Sequence, residues 1–303
     1  MHKYTVIVTK NNSDYVNWQT DILYESFLEY HKDDSNFQFL ALVSKDKEYK
    51  TIPRYPFIYC KHYDLLNNDD YIVYNRILNL QTYLNNIEPS ENRYIILLDP
   101  DFIFLKKFDL DIKKTTGQFC SYLINHEVID FYNKNYKEIT NEFYYPISCP
   151  YIINEVILFK IIDEWLELTI QFRSKNKEKS PLYKNWICEM YAFAFALLDQ
   201  KIEVDVKNFC ESPPFGNYIP DNELYFYHYC YEIKNNKDDI IFDKKNYKFG
   251  NVFEIENLKD QLENDQYKLL LNLNKYTKNI LNLDKDIKSD EPPKILKPII
   301  HSL

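Results

Sequence analysis

The sequence lacks any CxxC pair and any regular cysteine spacing; its six cysteines stand at positions 60, 120, 149, 188, 210 and 230. That argues against a zinc site or a dense disulfide framework and leaves reduced, mostly buried thiols as the expectation. An excess of basic charge is also missing. The 303 residues carry a formal net charge of −9, which speaks against a non-specific nucleic-acid surface built on a basic stripe, while leaving room for a local basic groove. No apolar run approaches the roughly 20 residues of a membrane span. Met1-His2-Lys3 leads directly into Tyr4-Thr5-Val6-Ile7-Val8-Thr9, too short a stretch for the apolar core of a signal peptide, so a cytoplasmic protein without a membrane partner is expected. Glycine is scarce, with 3 residues against 28 Tyr and 20 Phe; the accompanying richness in Asn, Lys and Ile fits an AT-rich coding sequence better than any local need. No internal repeat is present.

What is there begins with ample core material. With 45% hydrophobic residues, the chain can build one large α/β domain or two small ones. Tyr4–Thr9, 36–43 and 57–60 read as strands, with helices over 14–30 and 71–86 between and after them. Such alternation predicts a mostly parallel sheet, whose ligands bind at the carboxyl ends of the strands. Further expected elements are strands at 118–123 and 201–206, helices at 126–136, 154–172 and 185–198, and a short strand after the loop bracketed by Pro146 and Pro150. From about residue 258 onward, Leu269, Leu273, Tyr276, Ile280, Leu283 and Ile287 form a heptad-like seam, which predicts a helix packed on its own chain. The expected division is a main domain over 1–255 and a C-terminal helical extension with an extended tail over 256–303.

The most informative stretch is Tyr94-Ile95-Ile96-Leu97-Leu98-Asp99-Pro100-Asp101-Phe102-Ile103-Phe104. Its apolar run suits a strand covered on both faces, and Pro100 forces a bend where the acids sit. Two neighbouring carboxylates at a strand terminus repel unless a cation lies between them, which suits Mn²⁺ or Mg²⁺ holding a phosphate-bearing substrate. Asp-Pro-Asp is also a good turn sequence, so the motif alone does not decide the matter. Glu189 is the one acid within Trp186-Ile187-Cys188-Glu189-Met190-Tyr191 and the apolar residues that follow. Burial there makes it either a satisfied structural acid or a catalytic one. His228 ends the aromatic run Leu224–Tyr231, where an imidazole is ordinarily a hydrogen-bonded core residue.

Taken as a series, several stretches resemble the hydroxyproline O-arabinosyltransferase family and its relatives, the peptidyl serine galactosyltransferases. Tyr15-Val16-Asn17-Trp18-Gln19 after the Thr9 strand end is similar to the family's Tyr-x-x-Trp-Gln helix start. Asn75-Arg76 and Asp99-Pro100-Asp101 resemble its Asn-Arg pair and its acidic turn. The stretch 147–153 looks like its Pro-containing loop and strand, and Trp186–Tyr191 and Phe226-Tyr227-His228-Tyr229 match its Trp-x-x-Glu-Met-Tyr and late His-Tyr. The order holds from residue 4 to about 235. Ser148 and Ala192 stand where the family has glycines, a difference that bears on pocket shape and with it on the sugar and acceptor. Plant enzymes of this type carry an N-terminal membrane anchor and act on peptides in the secretory pathway, whereas the present sequence opens at its first strand.

The resemblance implies a GT-A-like fold, that is, a Rossmann-like sheet flanked by helices. It also implies a nucleotide-sugar donor, with UDP the expected carrier, a hydroxyl acceptor such as hydroxyproline or serine of a protein, and a retaining transfer of arabinofuranose or galactose. Metal ligands would be Asp99, Asp101 and His228, with Mn²⁺ or Mg²⁺ as cofactor. Donor contacts would come from Thr9, Arg76, Asp99 and Lys234, the sugar or acceptor pocket from Trp186, Tyr191 and Tyr229, and Glu189 would be catalytic. In a retaining enzyme Glu189 stabilises or attacks an oxocarbenium-like centre; in an inverting one it is the base for the acceptor hydroxyl. Nucleic acid enters only as an alternative acceptor, a hydroxymethylated DNA base. A catalytically inactive sugar-binding module is the reading from another class.

Overall fold

The computed structural model describes residues 2–45, 53–61, 71–136, 145–174, 181–182, 185–215 and 219–286. The chain opens with β1 (Tyr4–Asn11), α1 (Asp14–His31), β2 (Phe37–Lys45), β3 (Phe57–Lys61), α2 (Tyr74–Leu84) and β4 (Tyr94–Leu98). β1 and β4 are almost continuously buried, as central strands covered on both faces must be. There follow β5 (Phe102–Phe104), β6 (Thr115–Phe119), α3 (His126–Asn135), β7 (Ile147–Asn154), α4 (Glu155–Arg173), α5 (Cys188–Asp199) and β8 (Val204–Lys207). Seven strands form one sheet in the order β3-β2-β1-β4-β7-β6-β8. Only β7 runs antiparallel to its neighbours. This is the mostly parallel α/β arrangement that the alternating elements predict.

The remaining elements build a smaller layer: β9 (Cys210–Glu211), β10 (Phe226–His228), β11 (Ile233–Lys234), β12 (Ile240–Phe242) and α6 (Asn264–Asp286). β5, β10 and β9 form a second sheet, and β11 with β12 a hairpin. The chain therefore changes sheets at Asp99-Pro100-Asp101, where Pro100 offers no ladder donor and the strand cannot simply continue. On α6, Leu269, Leu273, Tyr276 and Ile280 are buried together with Trp18 and Ile22 of α1, as the seam predicts. A Lys275–Glu29 ion pair adds to that contact. Ile287 and the tail at 289–293 lie outside the described residues, as does most of the charged stretch at 173–179.

Three elements differ from expectation. β6 occupies 115–119 instead of 118–123, and Ser121–Leu123 is a single 3₁₀ turn. Gly117 accounts for the placement: a Cβ there would stand 2.7 Å from Cβ of Ile147, so only glycine lets β7 lie this close. Second, residues 147–150 are not a loop before a short strand; β7 runs through Pro150. The β6–β7 register jumps from Gly117↔Tyr151 to Gln118↔Ser148, so Cys149 and Pro150 bulge out where no ladder donor is needed. Third, α5 begins at Cys188, and 185–187 form a turn in which Asn185 Oδ1 accepts from Ile187 N at 3.1 Å. All six cysteines are free thiols, and four of them are buried. Among the described residues no helix is long and apolar enough to cross a membrane.

Candidate metal and donor site

The site lies where the two sheets meet. The parallel register Val8↔Leu98 sets the carboxyl ends of β1 and β4 side by side, so Thr9 and Asp99 share one rim of the main sheet. From the second sheet, the antiparallel register Phe102↔His228 returns the end of β10 to the start of β5, beside Asp101. Tyr229 N continues the pairing by donating to the Asp101 carbonyl at 3.0 Å. The His228 ring stacks on Phe102 with centroids 4.3 Å apart and an interplanar angle of 6°, which fixes its orientation. As a result, ligand-capable atoms of Asp99, Asp101 and His228 all lie within 4.8 Å of one another. Residues distant in sequence thus converge on a volume the size of one coordinated ion. Two carboxylates and an imidazole form a donor set that fits Mn²⁺, with Mg²⁺ as the harder alternative.

Charges around this cluster are closely matched. Arg76 of α2 bridges two acids: Nη2 pairs with Asp99, and Nη1 lies 3.2 Å from Oε1 and 3.4 Å from Oε2 of Glu189. Asp101 is held between His228, whose Nε2 is 3.3 Å from Oδ1, and Lys244, which pairs with Oδ2. Burial alone would raise the Asp101 pKa, but His228 and Lys244 pull it well below the usual carboxylate range. Burial opposes a charged His228, yet Asp101 raises its pKa to about 10. A divalent cation here would take the place of that proton and be met by a neutral imidazole. For Glu189, burial pushes the carboxyl above its ordinary pKa, and Arg76 offsets this only in part. The helix carrying it is anchored by Trp165 Nε1, which donates to the Glu189 carbonyl at 3.0 Å.

Five of the residues singled out in the sequence are therefore joined at one place, Arg76, Asp99, Asp101, Glu189 and His228, and Thr9 lies on the same rim of the main sheet. Of the other four, Tyr229 reaches the cluster through its backbone N, which donates to the Asp101 carbonyl. The Lys234 side chain is 49% exposed, pairs with Glu232 at 3.8 Å and lines a cavity together with Lys244. Trp186 is 67% exposed on the turn before α5. Tyr191 is buried and its hydroxyl donates to the Tyr122 carbonyl at 3.5 Å. Tyr229 is buried against Trp18, with centroids 5.9 Å apart. Sequence reasoning missed Lys244, one of two lysines after an unremarkable short strand. It also missed Lys10, next to Thr9, whose Nζ donates to Tyr55 OH at 2.7 Å and whose pKa burial lowers to about 7.

Comparison with known proteins agrees with the series of motifs. The family model described as the hydroxyproline O-arabinosyltransferase family N-terminal domain matches residues 4–206. No curated protein matches the sequence. Among solved structures, a crystal structure of an active-site mutant of LgtC is 11% identical, covers 76% of this chain and 88% of its own, and has a TM-score of 0.40. A second, of the galactosyltransferase LgtC in complex with donor and acceptor sugar analogs, is 12% identical over 75% of this chain and 87% of its own, with a TM-score of 0.39. The family model spans both strands of the acidic rim, Arg76 and Glu189, and on that match the chain belongs to the hydroxyproline O-arabinosyltransferase family, a family of glycosyltransferases.

Proposed function

We propose that the protein is a metal-dependent glycosyltransferase that moves a sugar from a nucleotide-sugar donor, with UDP as carrier, to a hydroxyl of a protein acceptor such as hydroxyproline or serine. The observation that carries this reading is the convergence of Asp99, Asp101 and His228 within 4.8 Å at the carboxyl-end rim of the sheet. Those three residues would hold the ion. When bound, it supplies positive charge to the diphosphate leaving group.

The chain's own cations act beside it. Arg76 presents a planar fork already oriented by two acids, suited to a phosphate oxygen at the place where negative charge grows as the glycosidic bond breaks. Glu189 is enclosed by Arg76 and the α5 backbone; its role in this reading is to hold that fork, which makes it a positioning residue. Thr9, on the rim beside Asp99, would be a further contact to the donor. Phe102 keeps the His228 ring in plane, so that one nitrogen is aimed at the cluster.

The test is product detection. The purified protein is incubated with a panel of UDP-sugars, Mn²⁺ and either a hydroxyproline peptide, a serine peptide or hydroxymethylated DNA, and acceptors are examined by mass spectrometry. A glycosylated peptide that disappears with EDTA is the expected result. Glycosylated DNA without modified peptide would overturn the acceptor class, and no transfer or donor hydrolysis with any sugar would overturn the reading as a whole.

A further inference from the structure

We propose that Lys244 is a donor-side cation that occupies Asp101 until the nucleotide diphosphate arrives, so that the metal ion and the nucleotide bind cooperatively. This rests on the metal and donor reading above and extends it to a residue outside the matched family segment.

The argument begins with the lone pairs of Asp101. Oδ2 is taken by the Lys244 ammonium and Oδ1 faces His228 Nε2 at 3.3 Å, on a residue only 5% exposed. A dication can share this carboxylate with the ammonium only against strong like-charge repulsion, because little water is present to screen it. The two cations at the cluster differ in their freedom to leave. Arg76 is fixed by two acids on separate elements, Asp99 and Glu189, and its fork fits both. Among the described residues Lys244 has one carboxylate partner, Asp101, and it carries a point charge on a flexible stem. It follows β12, whose Phe242 is buried against Tyr247 and Phe253, so its backbone is anchored while its side chain can swing.

The same lysine has somewhere to go. It lines a cavity of about 390 Å³ together with the cations Lys234 and Lys245, the acids Glu232 and Asp243, and Tyr231, with Lys234 paired to Glu232. A diphosphate lying between the aspartates and this cavity attracts the ammonium away from Asp101 and places it on a phosphate oxygen. Asp101 then becomes available to the ion, and the anion screens the two cations from each other. Without the nucleotide, Lys244 returns to Asp101 and opposes the ion. Reciprocity requires that metal and nucleotide each raise the other's affinity by the same factor.

The test is Mn²⁺ binding followed by electron paramagnetic resonance, with and without saturating UDP, in the full chain and in Lys244→Met, which keeps the stem and removes the charge. Wild type is expected to bind Mn²⁺ about tenfold more tightly with UDP than without. Lys244→Met should bind Mn²⁺ alone about tenfold more tightly than wild type does, with the effect of UDP correspondingly reduced. Lys237→Met, an exposed site on the turn of the same hairpin, controls for net charge and should leave Mn²⁺ affinity unchanged. UDP-dependent Mn²⁺ binding that is the same in wild type and Lys244→Met overturns this inference and leaves the donor reading standing. An equal gain in Lys237→Met also overturns it, and absence of Mn²⁺ binding in both proteins even with UDP overturns both.

Discussion

Replacing Glu189 by Gln tests whether the buried acid works through Arg76. The substitution keeps the size of the side chain and one acceptor oxygen while removing the charge that faces Arg76 Nη1 at 3.2 and 3.4 Å. At an effective dielectric of about 20 the gross attraction across such a gap is roughly 5 kcal/mol. Much of it is already offset, because burial raises the Glu189 pKa in spite of Arg76, which means that desolvation outweighs the attraction. Arg76 also keeps Asp99 as a partner. The net change in stability should therefore stay within about 2 kcal/mol, below the roughly 3–5 kcal/mol typical of a buried pair broken on one side. The kinetic effect should fall on the donor, because an unguided Arg76 meets the diphosphate less often: KM for the nucleotide sugar rises about tenfold with a smaller change in kcat. Steady-state transfer assays and a thermal melt on the same preparation measure both quantities. A loss of about 10²-fold or more in kcat with unchanged KM would show that Glu189 acts at the reacting centre and refute the positioning role. Unchanged kinetics would return it to a satisfied structural acid.

Two predictions concern the scaffold. His31 is buried among Phe27, Phe37 and Phe104, its Nε2 accepts from Phe108 N at 3.3 Å, and burial lowers its pKa to about 4. The unfolded chain then binds the extra proton first, so stability is complete above about pH 6.5 and falls as pH drops toward 4, by about 3 kcal/mol in all. Denaturant melts across this range should show that slope in wild type and a shallower one in His31→Phe; parallel slopes would contradict the assignment. Gly117→Ala should destabilise by about 1–3 kcal/mol, since the new methyl would meet Ile147 at 2.7 Å; an unchanged melting temperature would show that β7 can shift away.

The parts of this architecture that were legible in the sequence are those in which local pattern and tertiary role coincide. Tyr94–Leu98 is continuously apolar and buried from Ile95 to Leu98, and Asp99 and Asp101 could be placed at its end because Pro100 breaks the ladder there. His228 could be expected in the site only through the resemblance, because its own run reads as core. The start of α5 was hidden by uniformity: Cys188 to Leu197 are all buried, so no polar face marks which side looks at the site, and Tyr191 could not be told from a pocket residue. β7 was obscured by Pro150, which ordinarily signals a loop but here occupies a bulge. Lys244 was invisible for a different reason. It reaches Asp101 through a hairpin whose strands span two and three residues, too short to carry a period, and Lys234 lay nearer to His228 in sequence.

The most direct test of the metal site is anomalous diffraction from crystals grown with Mn²⁺ and UDP. The expected result is a single peak at the junction of the two sheets, within about 2.0–2.6 Å of ligand atoms of Asp99, Asp101 and His228, or joined to one of them through a bridging water. A peak elsewhere on the molecule, or UDP bound on the rim with no ion between it and the two aspartates, would contradict it.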